Sequence, residues 1–104
     1  GKKILFLKEE DDDSNCVCRL NSKDVTLPLY VRSKINGDKI EVKNLNGSKK
    51  VKDIFIDSKI ALNERKTYPI VVDSNNIVVW IPGLKKSKYN KEKNEKYDII
   101  LKYD

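Results

Sequence analysis

Apolar positions along the chain come in short runs separated by polar turns, and only once do they fall at helical spacing. Ile4 to Leu7 (ILFL) is the first such run and reads as a buried or half-buried strand. Glu9 to Asp13 is an unbroken acidic run followed by Ser14 and Asn15, a solvated tip, after which Cys16 to Leu20 resumes as a strand. The two runs are expected to form a hairpin. Leu27 to Val31 is a further strand, interrupted at Pro28 and so placed at an edge or at a strand start. Asn36-Gly37-Asp38 is a strong turn signal. The alternation Lys39-Ile40-Glu41-Val42-Lys43 then puts Ile40 and Val42 on one face and three charges on the other. Asn44 to Gly47 supplies a second turn.

Helical periodicity appears next. Ser48 has the chemistry of an N-cap, and Val51, Ile54, Phe55 and Ser58 recur at helical spacing, which predicts one short amphipathic helix near 49–58. Leu62 to Lys66 is expected to add a helical turn before Pro69. Pro69 to Val72 and Ile77 to Ile81 are apolar runs joined by Asp73-Ser74-Asn75-Asn76, and they read as a hairpin closed by Pro82-Gly83. Lys85 to Lys96 carries no packing face, and Tyr97 to Tyr103 returns as a final strand. Trp80, Phe55 and Tyr68 have apolar neighbours and read as core. The expected fold is mostly β, bordering on α+β: a small sandwich or barrel with that one helix. Residues 1–104 read as a single domain.

Charge changes the picture more than composition does. The chain carries 22 Lys and Arg against 16 Asp and Glu, a net charge of +6 at pH 7, which favours a polyanionic partner. Only Arg19, Arg32 and Arg65 are arginines. Lysine grips phosphate as a point charge and reads base edges less well than a guanidinium does, so backbone contact is expected over sequence readout. With no His, Ser-His-Asp and Cys-His arrangements are excluded, and no Gly-x-x-x-x-Gly-Lys or Gly-x-Gly-x-x-Gly phosphate cradle appears. Asp53 and Asp57 stand one helical turn apart beside lysines and read as a solvated ion-pair face. The acidic run lacks the spacing of a calcium loop. Cys16 and Cys18 share one face of a strand and read as small apolar residues, reduced as in the cytoplasm. No catalytic or metal-binding residue is expected. No apolar run is long enough to span a bilayer. The chain starts at Gly1 and contains no Met, as an excised piece of a longer protein would.

Gly47-Ser48-Lys49-Lys50-Val51-Lys52 is the densest basic stretch. Lysines at a helix start oppose the dipole, which makes sense where an anion such as RNA phosphate offsets them. An ordinary solvated lysine face is the competing reading.

Four blocks carry a resemblance. Arg32-Ser33-Lys34-Ile35-Asn36-Gly37-Asp38-Lys39-Ile40 resembles the Arg-x-Arg-x-Pro-Gly-Asp-x-Ile signature of the C-terminal domain of bacterial tRNA(Ile)-lysidine synthases. Gly47 to Ile60 resembles that family's Gly-x-Lys-Lys-Leu-Lys-Asp-x-Phe-Ile-Asp-x-Lys-Ile block. Arg65 to Asp73 matches its Arg-x-x-x-Pro-Leu-Val-x-Asp, and Val79-Trp80-Ile81-Pro82-Gly83 its Trp-Val-Pro-Gly close. Lys34 and Asn36 depart from it, standing where the family has an arginine and a proline.

The resemblance implies a β-rich RNA-binding appendage, C-terminal in a larger enzyme, that grips the tRNA acceptor stem. The parent enzyme uses ATP with magnesium to adenylate the wobble cytidine of a CAU-anticodon isoleucine tRNA, and free lysine then displaces AMP. That chemistry belongs to a PP-loop domain whose Ser-Gly-Gly-x-Asp-Ser motif is absent here, so this chain is expected to need no cofactor and to catalyse nothing. The implied contacts are Arg32, Lys34, Lys49, Lys50, Lys52 and Arg65, with Lys59, Lys85 and Lys86 beside them. Arg65 has a rival role as ion-pair partner of Asp38 or Asp53, and Asp38 as a cap of backbone amides in the turn. The alternative function is a dimerising or domain-docking module of the same enzyme, marked by an exposed apolar patch. A generic single-strand binder would need exposed aromatics.

Overall fold

The computed structural model describes residues 1–44 and 46–104. The part of the Asn44–Gly47 turn that falls on Leu45 therefore lies outside the described residues. In chain order the elements are β1 (Ile4–Leu7), β2 (Val17–Leu20), β3 (Tyr30–Arg32), β4 (Lys39–Glu41), β5 (Ser48–Lys50), α1 (Val51–Asp57), α2 (Leu62–Arg65), β6 (Ile70–Val72), β7 (Val78–Ile81), β8 (Lys85–Lys86) and β9 (Ile99–Tyr103). All the strand pairs are antiparallel.

How many faces each strand must cover explains the layering. β6 and β7 read as unbroken apolar runs, and every residue in both is buried. A strand covered on both sides has no polar face to alternate with. These two strands form the middle of the sheet β3-β6-β7-β8. Val71, Val79 and Trp80 pack towards Cys18, Leu20 and Leu101 of the second sheet, β1-β9-β2. Ile70, Val72, Val78 and Ile81 pack instead on Ile40, Val51, Ile54 and Phe55. The result is a two-sheet sandwich whose outer face is closed by α1 and the β4-β5 ribbon. The mostly β class expected from the pattern holds. Trp80 and Phe55 are fully buried, and the half-buried Tyr68 donates its hydroxyl to Pro82 O at 2.6 Å, so all three belong to the core.

Three sequence expectations need correcting. β1 and β2 are not a hairpin: β9 lies between them and pairs with both. Both run antiparallel to β9 and so parallel to each other, and the connection from Leu7 to Val17, which carries the acidic run, must return along the sheet to start β2 instead of closing a tight hairpin turn. Second, Ser48 is not an N-cap. Ser48–Lys50 pairs with β4 as a strand, and the helix starts only at Val51, with Lys50 in the cap position and no side-chain cap bond. The Val51 amide donates instead to Asp38 O at 3.0 Å, so tertiary structure closes the helix start. Third, residues 85–96 do have a packing role. Lys85–Lys86 pairs with Trp80 and Ile81, and Ser87 and Asn90 are buried. The helix spacing itself was read correctly, since Val51, Ile54 and Phe55 are the buried face of α1. The expected turn at Leu62 and the β6-β7 hairpin are also present.

Candidate nucleic-acid interface

Arg32 lies on β3 and spends its whole guanidinium inside the fold. Nη1 and Nη2 donate to the two Asp38 carboxylate oxygens at 2.8 and 2.9 Å, Nη1 also donates to Ser33 O at 3.0 Å, and Nε and Nη2 donate to Asn76 Oδ1 at 3.1 and 2.9 Å. An arginine has five N–H donors, and these are five bonds. Asp38 also accepts the Ile35 amide at 2.8 Å. Burial pushes the Asp38 carboxyl up, but the Arg32 guanidinium and the Ile35 amide outweigh it and hold the group below its ordinary range. Asp38 thus caps its turn as expected, and its ion-pair partner is Arg32, not Arg65. Arg65 is placed by one bond, Nε to Ile60 O at 2.7 Å.

The turn that Arg32 and Asp38 stiffen carries Lys34 beside the β4-β5 ribbon. Lys39 and Lys50 are direct cross-strand partners in that ribbon, so their side chains leave one face together. Lys34, Lys39, Lys50 and Lys52 line one depression, with Asp38 its sole carboxylate. A second depression shares Lys34 and Lys52 and adds Arg65 and Lys66 beside Leu62. The two therefore form one continuous concave strip with six cations. None of the six has a carboxylate within 4.0 Å among the described residues, while Arg19, Arg32, Lys43, Lys88, Lys91, Lys93 and Lys102 all do. Like charges directly opposed across a ribbon cost stability. The fold holds Lys39 against Lys50 with no salt bridge to either among the described residues.

The remaining candidates lie elsewhere. Lys49 is the register partner of Ile40 and so leaves the opposite face of β5 from Lys50. Lys59 follows the end of α1 in a left-handed conformation, with φ of 56°. Lys85 and Lys86 line a separate depression that also holds Asp13 and Glu92, and Lys86 Nζ donates to Asp13 O at 3.0 Å. Lys39 and Lys66, which the motif reading passed over, belong to the strip. Strand alternation was the available signal for Lys39, since it places that residue on the charged face of β4.

The acidic run has a structural partner that the sequence did not reveal. Arg19, only 1% exposed, reaches beneath it from β2 and donates to Glu10 O and, at 3.1 Å, to Asp12 O. Its Nη1 also stands 3.5 Å from the Asp13 carboxylate, while Lys102 holds Glu10 at 2.7 Å and Lys93 holds Asp13 at 3.4 Å. These contacts pair Glu10 and Asp13 with cations and anchor the backbone of the run. Asp53 and Asp57 are exposed on α1, without a salt bridge among the described residues. Cys16 and Cys18 are free thiols, and burial pushes Cys18 up to about 12. Among the described residues no group of three or more His, Cys, Asp or Glu is placed to hold a metal ion, and no helix is long and apolar enough to cross a membrane.

Fold and site together define a small, basic, β-rich module with a cationic strip. Residues 29–101 match the profile of the TilS substrate C-terminal domain, and the chain belongs to that family. It is 48% identical over 90 residues to the tRNA(Ile)-lysidine synthase of Bacillus licheniformis, covering 86% of this chain and 19% of that protein. It is 46% identical over 85 residues to the bifunctional protein TilS/HprT of Listeria innocua, covering 81% of this chain and 13% of that protein. The crystal structure of a TilS C-terminal domain superposes with a TM-score of 0.83 at 34% identity, covering 98% of this chain and 79% of that one. The chain thus spans less than a quarter of the length of these curated relatives.

Proposed function

We propose that this chain is the tRNA-gripping C-terminal module, residues 1–104, of a tRNA(Ile)-lysidine synthase, and that it holds the acceptor stem through Lys34, Lys39, Lys50, Lys52, Arg65 and Lys66. The observation that carries this reading is the strip of six cations on one concave surface, none of them in a salt bridge among the described residues. An A-form duplex hides its base edges in a deep, narrow groove and presents phosphates and 2′-hydroxyls outside. Five lysines and one arginine suit that surface better than they suit base readout. The parent enzyme, working in the cytoplasm where its tRNA is found, would join lysine to the wobble cytidine at the expense of ATP. Because the chain spans less than a quarter of the length of these curated relatives, we assign that step to another part of the parent protein.

The test is a titration of tRNA against the chain over a salt series. Binding that weakens steeply with salt is expected, with the slope reduced by exchanging Lys34, Lys39, Lys50 and Lys52 for Gln and little changed by exchanging Lys85 and Lys86. Salt-independent binding, or none at low salt, refutes the proposal. The docking or dimerisation reading draws on a different surface: Leu27, Tyr30 and Val31 are 50%, 54% and 56% exposed at the β3 edge of the larger sheet. A concentration-dependent mass in sedimentation would favour it.

A further inference from the structure

Leu62 is 74% exposed, yet it sits inside the basic strip and not on neutral surface. It opens α2, a helix with no buried residue, which therefore contributes nothing to either core cluster. What fixes α2 in place is the Arg65 Nε bond to Ile60 O and the backbone bonds that Ala61 O accepts from Glu64 and Arg65, at 2.9 and 3.0 Å. The helix holds an uncovered leucine at the rim of a depression of about 300 Å³. Lys34, Lys52, Arg65 and Lys66 surround that depression, and Phe55 lies beneath it.

A leucine in this position gains nothing from the flank of an RNA duplex, where phosphates and 2′-hydroxyls face outward and every base face is covered by its neighbours. An apolar side chain meets a base face only where stacking ends, at the terminus of a helix or at an unpaired nucleotide. Apolar residues that contact nucleic-acid stacks do so by packing against such a face. The depression combines the two chemistries of a nucleotide, with an apolar contact for the base and cations for the phosphates on either side.

We infer that Leu62 makes the module specific for the end of an RNA helix, packing on the last stacked or unpaired nucleotide while Lys34, Lys52, Arg65 and Lys66 hold the adjoining phosphates. This rests on the basic-strip reading above and adds to it a determinant of where along a duplex the strip settles. Charge alone lets the module slide along any stem. Leu62 gives one position an extra contact.

Two RNAs with the same stem sequence test it: one stem ending in a 3′ single-stranded tail, the other closed at both ends by non-nucleotide linkers. The native chain is expected to bind the tailed stem about five- to tenfold more tightly, the scale of covering about half of a leucine side chain against one base face. Leu62→Ala should abolish that preference while leaving the closed-stem affinity, its salt slope and the melting temperature unchanged, since the side chain is already exposed. Equal binding of both RNAs by the native chain overturns the inference, as does an equal loss on both RNAs in the variant. If neither RNA shows salt-sensitive binding, the basic-strip reading fails first and the inference falls with it.

Discussion

Exchanging Lys39 and Lys50 for Gln should make the protein slightly more stable and a worse RNA binder. The two residues face each other across β4 and β5. Facing β-carbons in an antiparallel pair stand about 5 Å apart. Flexible stems let the ammonium groups separate to about 8 Å, where repulsion in water is about 0.5 kcal/mol, and physiological salt screens part of that. Both side chains are exposed, so little packing is lost, and a gain of a few tenths of a kcal/mol is expected in urea unfolding. On the RNA side, up to two phosphate contacts disappear. Each accounts for roughly 0.9 in the slope of log K against log salt, so the slope should flatten by about 1.5. At 0.1 M salt the affinity should fall about thirtyfold, with a ceiling of about sixtyfold if both contacts are complete. Lys49→Gln is the control, since it removes the same charge from the opposite face of the same strand and should leave the slope nearly unchanged. A stability loss above about 1 kcal/mol would show that these lysines serve the fold. A slope unchanged in the double variant but flattened in the control would move the interface to the other face of the ribbon.

Three further outcomes are expected from the structure. Asp38→Asn should cost about 2 kcal/mol at neutral pH, because Arg32 loses its paired carboxylate in a largely covered site. Asp38 titrates below its ordinary value of 3.8, so its contribution is complete above that value and is lost as pH falls through the lowered one. The gap between native and variant in chemical unfolding should therefore narrow in that acid range, and a gap constant with pH would contradict the assignment. Arg19→Ala should cost about 3 kcal/mol through its lost charged hydrogen bonds and expose residues 9–13 to proteolysis, without changing the RNA salt slope. In the native protein at neutral pH a thiol reagent should modify the half-buried Cys16 well before Cys18, whose burial raises it to about 12; equal rates would count against that packing.

The parts of the fold that were legible in the sequence are those decided by local pattern. Val51, Ile54 and Phe55 announce a helix face, and β6 and β7 announce themselves as strands buried on both sides because no polar residue interrupts them. What was not legible is pairing. Nothing local to Ile4–Leu7 and Cys16–Leu20 says that β9, some eighty residues on, inserts between them. Ser48 misled for a related reason. Its side chain suits an N-cap, but partnership with β4 turns Ser48–Lys50 into a strand, and the backbone carbonyl of Asp38 takes over the capping role.

The candidate site divides along the same line, and the division has a physical cause. A basic residue's availability depends on whether a carboxylate or carbonyl has already claimed it, and that is a tertiary fact. Arg32 is the strongest phosphate ligand by residue type, yet Asp38, Asn76 and the Ser33 carbonyl take all its donors. Arg19 stands in a strand that reads as ordinary, and it is buried under the acidic run, the densest negative stretch of the chain. Both arginines serve the fold, Arg32 stiffening the turn beside the strip and Arg19 holding the backbone of the acidic run. Of the basic residues without a salt bridge among the described residues, six (Lys34, Lys39, Lys50, Lys52, Arg65 and Lys66, from four separate stretches of chain) are brought to one surface. A net charge of +6 is a modest field when spread evenly over 104 residues. What concentrates that field is the fold, which gathers six cations with no salt bridge among the described residues onto one concave strip, and a field so focused is what the proposed hold on a phosphate backbone requires.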